Sequence, residues 1–182
     1  MQPMDTRLKQ LDVLPMVKHY ITELEVHKLF DTYIPNNNGS EIDPAQVLCV
    51  LIMNIVAAAK PLYRVDEWLS DYLDGKTEEM SLAGKYNDDR LGRCLDRLFN
   101  ADRHSLMTAA TCAAIRVYEL ETERIHNDST TISFTGAYER FADGTVELAR
   151  GYNKDGRPDC KQIVFGLNIT EDGHVPHELP VV

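Results

Sequence analysis

Up to residue 120, hydrophobic residues recur at helical spacing. Residues 13–24 and 26–33 are predicted to be short amphipathic helices. Asp43-Pro44 is typical of a helix start, because Asp caps the first turn and Pro fits the first helical position. The helix that follows is apolar on nearly every side, so it is predicted to be the central helix of a helical domain and to end at Pro61.

Three further helices are predicted before residue 120. The first covers residues 65–73 and contains Trp68, the only tryptophan. The second begins near Asn87, whose side chain can accept hydrogen bonds from the first turn. It places three leucines on one face: Leu91, Leu95 and Leu98. The third begins at Asp102 and continues to about residue 120.

From Arg124 onward the pattern becomes that of extended chain. Residues 124–134, 162–170 and 174–182 are predicted strands, separated by the long polar stretch 137–160 and by a tight turn. The second strand alternates, with its apolar side formed by Ile163, Phe165, Leu167 and Ile169. No helix follows residue 120, so the sheet is predicted to be unfinished and to expose an apolar face.

The predicted fold class is therefore α+β. An all-helical N-terminal domain occupies residues 1–120, and the first three strands of an incomplete sheet occupy residues 121–182.

The composition is that of a globular protein. The chain has 182 residues, 43% of them hydrophobic and 26% charged. No apolar run reaches the roughly 18–20 residues that a membrane-spanning helix needs, and no secretory signal is visible, so no membrane contact is expected. The four cysteines are widely spaced, which favours reduced thiols and a cytoplasmic location.

Asp128 is the strongest candidate for chemistry. Asp is uncommon in strands, and a rigid strand is well suited to position a metal ligand. Alternatively, the strand begins near Thr130 and Asp128 caps a turn. Two-metal phosphoryl transfer needs several carboxylates, and the remaining ones are expected beyond residue 182. The histidines of the helical part are isolated in the sequence and predict no site: His19, His27 and His104.

Two groups of basic residues are candidates for contact with nucleic acid, although the net charge of −10 disfavours it. The first group forms a stripe on the helix that begins near Asn87: Arg90, Arg93 and Arg97. The second group precedes the second predicted strand: Lys154, Arg157 and Lys161. The alternatives are a solvated helix face paired with Asp89 and Asp96, and an ordinary charged surface loop.

Two segments of the strand region, 125–134 (IHNDSTTISF) and 151–167 (GYNKDGRPDCKQIVFGL), resemble DDE-type insertion-sequence transposases. In that family, the strand Asp followed by Ser or Thr is the first catalytic carboxylate, and the second segment leads into the second strand. The helical part, including 90–99 (RLGRCLDRLF), looks like the N-terminal domain that precedes the catalytic domain in these transposases.

The resemblance implies an RNase H-like catalytic domain in which Asp128 is both a catalytic residue and a ligand of Mg²⁺. It implies strand cleavage and transfer, with transposon-end DNA as partner. The chain is then the N-terminal part of a transposase, with an incomplete site and no activity alone. The alternatives are a non-catalytic DNA-binding or regulatory protein, which self-associates or pairs with full-length transposase, and a remnant without function.

Overall fold

The computed structural model describes residues 13–34, 36, 42–72, 84–136, 148–151, 156, 158–171 and 177–181. The chain divides into two compact units, Met1–Ala110 and Thr111–Val182. Helices precede an antiparallel sheet, so the predicted α+β class is confirmed.

The helices and strands follow the predicted order. The helices are α1 (Leu14–Glu23), α2 (Val26–Tyr33), α3 (Pro44–Ala57), α4 (Val65–Tyr72), α5 (Asp88–Asn100) and α6 (Arg103–Tyr118), with a 3₁₀ turn at Leu62–Arg64 before α4. The strands are β1 (Ile125–Phe134), β2 (Ala149–Arg150), β3 (Lys161–Thr170) and β4 (His177–Val181).

Helix α3 is the centre of the helical core, as its apolar sequence predicts. The carboxylate of Asp43 accepts the N–H of Ala45 at 3.2 Å and caps the first turn. Along the helix, Val47 and Val50 are completely buried. Trp68 of α4 is also almost completely buried and belongs to the same core cluster.

The end of α3 differs from the prediction. The helix stops at Ala57 rather than at Pro61. The reason lies in Asn54, whose side-chain amide bonds both the N–H and the carbonyl oxygen of Lys60, at 3.1 and 2.9 Å. These bonds hold the chain in a turn that competes with further helix.

The segment before α5 is held by a side chain of α4. The carboxylate of Asp66 accepts the N–H of Gly84 at 2.9 Å and the N–H of Tyr86 at 3.1 Å. Tyr86 is completely buried, so Asp66 fixes the chain where a core side chain enters. The predicted start of α5 is confirmed, since the side chain of Asn87 accepts the N–H of Arg90 at 2.9 Å.

Helix α5 is rotated relative to the predicted leucine face. Leu91 is completely buried and Leu98 packs against the core, but Leu95 is 39% exposed. Cys94 takes the place of Leu95 in the core. A face centred on positions 91, 94 and 98 satisfies helical spacing as well as one that includes position 95. The three leucines share one side of α5, but the buried face is centred nearer Cys94 than Leu95.

The sheet is built around β3, which is paired on both edges. Strand β1 pairs antiparallel with β3 over its whole length, from Ile125 opposite Thr170 to Phe134 opposite Lys161. On the other edge, β3 pairs antiparallel with β4 and with the two-residue strand β2. The sequence did not predict β2, which lies inside the polar stretch. Most of that stretch and the predicted tight turn fall outside the described residues.

No single helix in the described ranges is both long and apolar enough to cross a membrane. The consecutive segments Pro44–Ala57 and Leu62–Ser70 reach that length and composition only together, and they meet at a bend of 96°.

Candidate functional site

Asp128 lies within β1 and not in a turn. It is the fourth residue of a ten-residue strand and is opposite Leu167 of β3. The alternative, in which the strand begins near Thr130, is therefore wrong. The side chain is exposed to solvent. A carboxylate at this position is accessible to a cation and is carried by a strand that is paired with β3 along its full length.

Asp128 shares a sheet face with the apolar side of β3. Directly opposed residues of an antiparallel pair project to the same face, and alternate residues along a strand do so as well. The register therefore puts Asp128 on the face that contains four apolar residues of β3: Ile163, Phe165, Leu167 and Ile169. All four remain partly accessible to solvent, so the exposed carboxylate of Asp128 shares this face with apolar side chains that are not fully buried.

Among the described residues, no cluster of three or more His, Cys, Asp or Glu side chains includes Asp128. Glu178 of β4 is opposite Leu167 on the far edge of β3, so one whole strand separates it from Asp128. The described residues therefore do not assemble around Asp128 the several ligands that a complete two-metal site needs.

The segment 151–167 brings Gly151 and Gln162 together. A Cβ atom added to Gly151 would lie 2.4 Å from Nε2 of Gln162, so the glycine leaves room for this amide group. Gly156 has φ of +66°, a backbone conformation that favours glycine. Cys160, between these residues in sequence, is buried. These contacts give a structural reason for the glycines at positions 151 and 156 of this segment.

The second basic group is only partly described by the structure. Its member Lys161 is the first residue of β3, is half-buried and lies opposite Phe134 of β1. Lys154 and Arg157 lie outside the described residues. Whether these three side chains form a basic surface therefore stays a prediction.

The arginines of α5 lie in three different environments. Nη1 of Arg90 donates to the carbonyl oxygen of Lys85 at 2.8 Å, and the side chain is half-buried. Arg93 is exposed and forms an ion pair with Asp89 one turn earlier. Arg97 is half-buried, and its Nη1 atom is buried without a hydrogen-bond partner among the described residues. The rotation of α5 explains the difference, because Arg90 and Arg97 flank the buried Cys94.

The same three arginines surround a thiol. Burial raises the pKa of Cys94, and the positive charges of Arg97, Arg90 and Arg93 lower it by less. Desolvation therefore prevails over the positive charges, and the thiol stays protonated at neutral pH. Cys94 behaves as a core residue and not as a nucleophile.

The sequence prediction missed one cluster of possible metal ligands. Its members are His27 and Asp31 of α2 and the capping residue Asp43 of α3. One ligand atom from each lies within 4.8 Å of the others. His27 was predicted to be isolated, which was wrong. The spacing of His27 and Asp31, one helical turn apart, was a visible signal, whereas the approach of Asp43 depends on the tertiary fold.

Comparison with known proteins identifies a family without a described function. The model of the family described as "Domain of unknown function (DUF4277)" matches residues 6–112. The chain therefore belongs to this family, and the match covers α1 to α5 and ends within α6. Neither the search of curated proteins nor that of solved structures finds a match. These comparisons therefore do not assign the chain to the transposases.

Proposed function

We propose that this protein acts in DNA transposition and is related to the DDE-type insertion-sequence transposases, with Asp128 as its first metal-binding carboxylate. The observation that carries the proposal is the position of Asp128. It is exposed in the middle of the first long strand, and the strand carries the sequence that resembles the family. The strand is the first of an antiparallel sheet that follows a helical domain, the order expected for an RNase H-like enzyme.

The cofactor of this site would be Mg²⁺. A carboxylate is a preferred ligand of this ion, and two-metal phosphoryl transfer uses several carboxylates to hold a pair of ions about 3.5–4 Å apart. Asp128 fits the role of one ligand. Since one carboxylate cannot hold two ions, the isolated chain should neither cut nor join DNA.

The geometry favours α5 over α4 as the DNA-contacting helix. Helices at roughly 90–120° with a short turn are typical of helix-turn-helix DNA-binding motifs, and the segments Pro44–Ala57 and Leu62–Ser70 meet at 96°. However, the second segment contains Asp66, which binds backbone N–H groups before α5, and the exposed Glu67, which is bonded to Arg64 at 3.0 Å. An acidic helix repels phosphates. The arginines of α5 therefore remain the proposed contacts to transposon-end DNA.

The second candidate is a non-catalytic DNA-binding or regulatory protein derived from a transposase. It is favoured by the lack of a cluster of three or more ligands at Asp128 among the described residues and by the net charge of −10. Such a protein would act in the cytoplasm by self-association or by pairing with full-length transposase. The four free thiols fit a reducing compartment.

Nicking of supercoiled plasmid tests the first candidate against the second. Purified chain and its Asp128→Ala variant are incubated with Mg²⁺ or Mn²⁺, alone and with a full-length DDE transposase. We expect no nicking by either chain alone. Nicking by the wild-type chain that requires the metal and disappears in Asp128→Ala would show a complete site. If the wild-type chain and Asp128→Ala change the activity of the full-length transposase to the same extent, the regulatory role is supported.

A further inference from the structure

We propose that His27, Asp31 and Asp43 form a binding site for a divalent transition-metal ion, separate from the proposed Mg²⁺ position at Asp128. Nδ1 of His27 is 3.1 Å from Oδ2 of Asp31, and Nε2 of His27 is 3.2 Å from Oδ2 of Asp43. The imidazole therefore stands between two carboxylates, one on its own helix and one at the start of α3.

Two carboxylates beside one imidazole make this position attractive to a cation. A neutral imidazole has one N–H and one lone pair, so in that form one ring nitrogen of His27 would direct its lone pair at a carboxylate oxygen. Either a second proton or a metal ion removes this repulsion. A metal ion bound to one ring nitrogen leaves the other N–H to donate to a carboxylate oxygen, which is how proteins usually orient a metal-binding histidine.

The distances suit a small ion after a minor adjustment. Zinc bonds to nitrogen and oxygen are about 2.0–2.2 Å, so two ligands of one ion are at most about 4.4 Å apart. The ring nitrogen of His27 and the carboxylate oxygen beside it are 3.1 or 3.2 Å apart, within this limit, and the second carboxylate accepts the other N–H of the ring. The side chains of His27 and Asp31 are 49% and 47% exposed, so solvent and ion reach them without opening the core.

The ligand set selects the class of ion. Imidazole together with carboxylates suits Zn²⁺ and its first-row neighbours, whereas Mg²⁺ prefers oxygen ligands alone. Asp43 divides its oxygens between two tasks. Oδ1 accepts the N–H of Ala45, and Oδ2 faces His27. An ion here would connect α2 to the first turn of α3, the central helix of the core.

The test is titration of the metal-free full chain with Zn²⁺ by calorimetry, and with Co²⁺ by visible absorption, which reports the ligand geometry. We expect one ion per chain and a higher unfolding temperature when the ion is present. His27→Ala and Asp31→Asn should each weaken binding by about tenfold or more. Asp43→Asn should weaken it equally but keep α3 capped, because Asn is as good a cap as Asp.

A matched control is available on α1. Nε2 of His19 lies 3.3 Å from Oε2 of Glu23 one turn later, and the described residues place no third ligand beside this pair. His19→Ala should therefore leave binding unchanged, and so should Asp128→Asn, which separates this site from the proposed function. Absence of binding, or equal loss in His19→Ala, would overturn the proposal. So would stabilisation by acid with no response to metal, because a proton would then be the cation.

Discussion

Replacing the three arginines of α5 by alanine should reduce the salt dependence of DNA binding. Each phosphate that a protein neutralises adds about 0.9 to the slope of log K against log salt concentration. Arg93 is the most accessible, with 60% of its side chain exposed. Arg90 and Arg97 are half-buried. We expect a loss of about 1 in slope for Arg93→Ala alone and about 2–3 for the triple variant.

Asp89→Asn provides a change in the opposite direction. The carboxylate of Asp89 pairs with Arg93 and competes with phosphate for the guanidinium. Its removal should raise the affinity for DNA if Arg93 contacts phosphate. Arg116→Ala, an exposed arginine of α6, is the matched control and should leave the slope unchanged.

The assay is fluorescence anisotropy of a labelled duplex over a series of salt concentrations. Arg90→Ala also removes the bond to Lys85, which contributes about 0.5–1.5 kcal/mol to stability, so thermal unfolding must show that the variants remain folded. A folded triple variant with the wild-type slope would refute the role of this stripe. The arginines would then form only a solvated helix face.

Three further results are expected. Asp66→Ala should lower the free energy of unfolding in urea by about 2–3 kcal/mol, because two backbone N–H groups lose a charged acceptor; an unchanged midpoint would contradict this. A thiol reagent should label Cys112 rapidly and the three buried cysteines only on unfolding. Rapid labelling that persists in Cys112→Ser would contradict the burial of the other three thiols. Sedimentation should show that the full chain self-associates through the apolar sheet face. Ile132→Thr, on that face, should reduce the association, and Ile125→Thr, on the opposite face, should leave it unchanged. A monomeric wild-type chain would contradict this.

The helix starts could be predicted because capping is local. Asp43, Asn87 and Asp102 each accept a hydrogen bond from an N–H two or three residues later, so a short stretch of sequence contains the whole interaction. The strand that carries Asp128 was also predictable, because its Ile, Thr and Ser content favours extended chain over helix.

Other features depended on contacts between distant residues. The sequence gives the width of the apolar stripe on α5 but not its centre, so it could not distinguish Cys94 from Leu95 as the core residue. Strand β2 has two residues and exists only through its pairing with β3. The cluster at His27 needs Asp43, which is brought to α2 by packing between α2 and α3. Apart from the one-turn spacing of His27 and Asp31, none of these has a local pattern.

The most direct test of the proposed metal-binding role of Asp128 is nuclear magnetic resonance of the ¹⁵N-labelled chain during titration with Mn²⁺, a paramagnetic substitute for Mg²⁺. The account predicts selective broadening of amides near residue 128 of β1 and near its β3 partner Leu167, and its loss in Asp128→Asn. Broadening at α2 and the start of α3 would report the separate histidine site. If the β1 and β3 amides stay sharp, or broaden equally in Asp128→Asn, Asp128 is not a metal ligand and the proposed relation to DDE chemistry is contradicted.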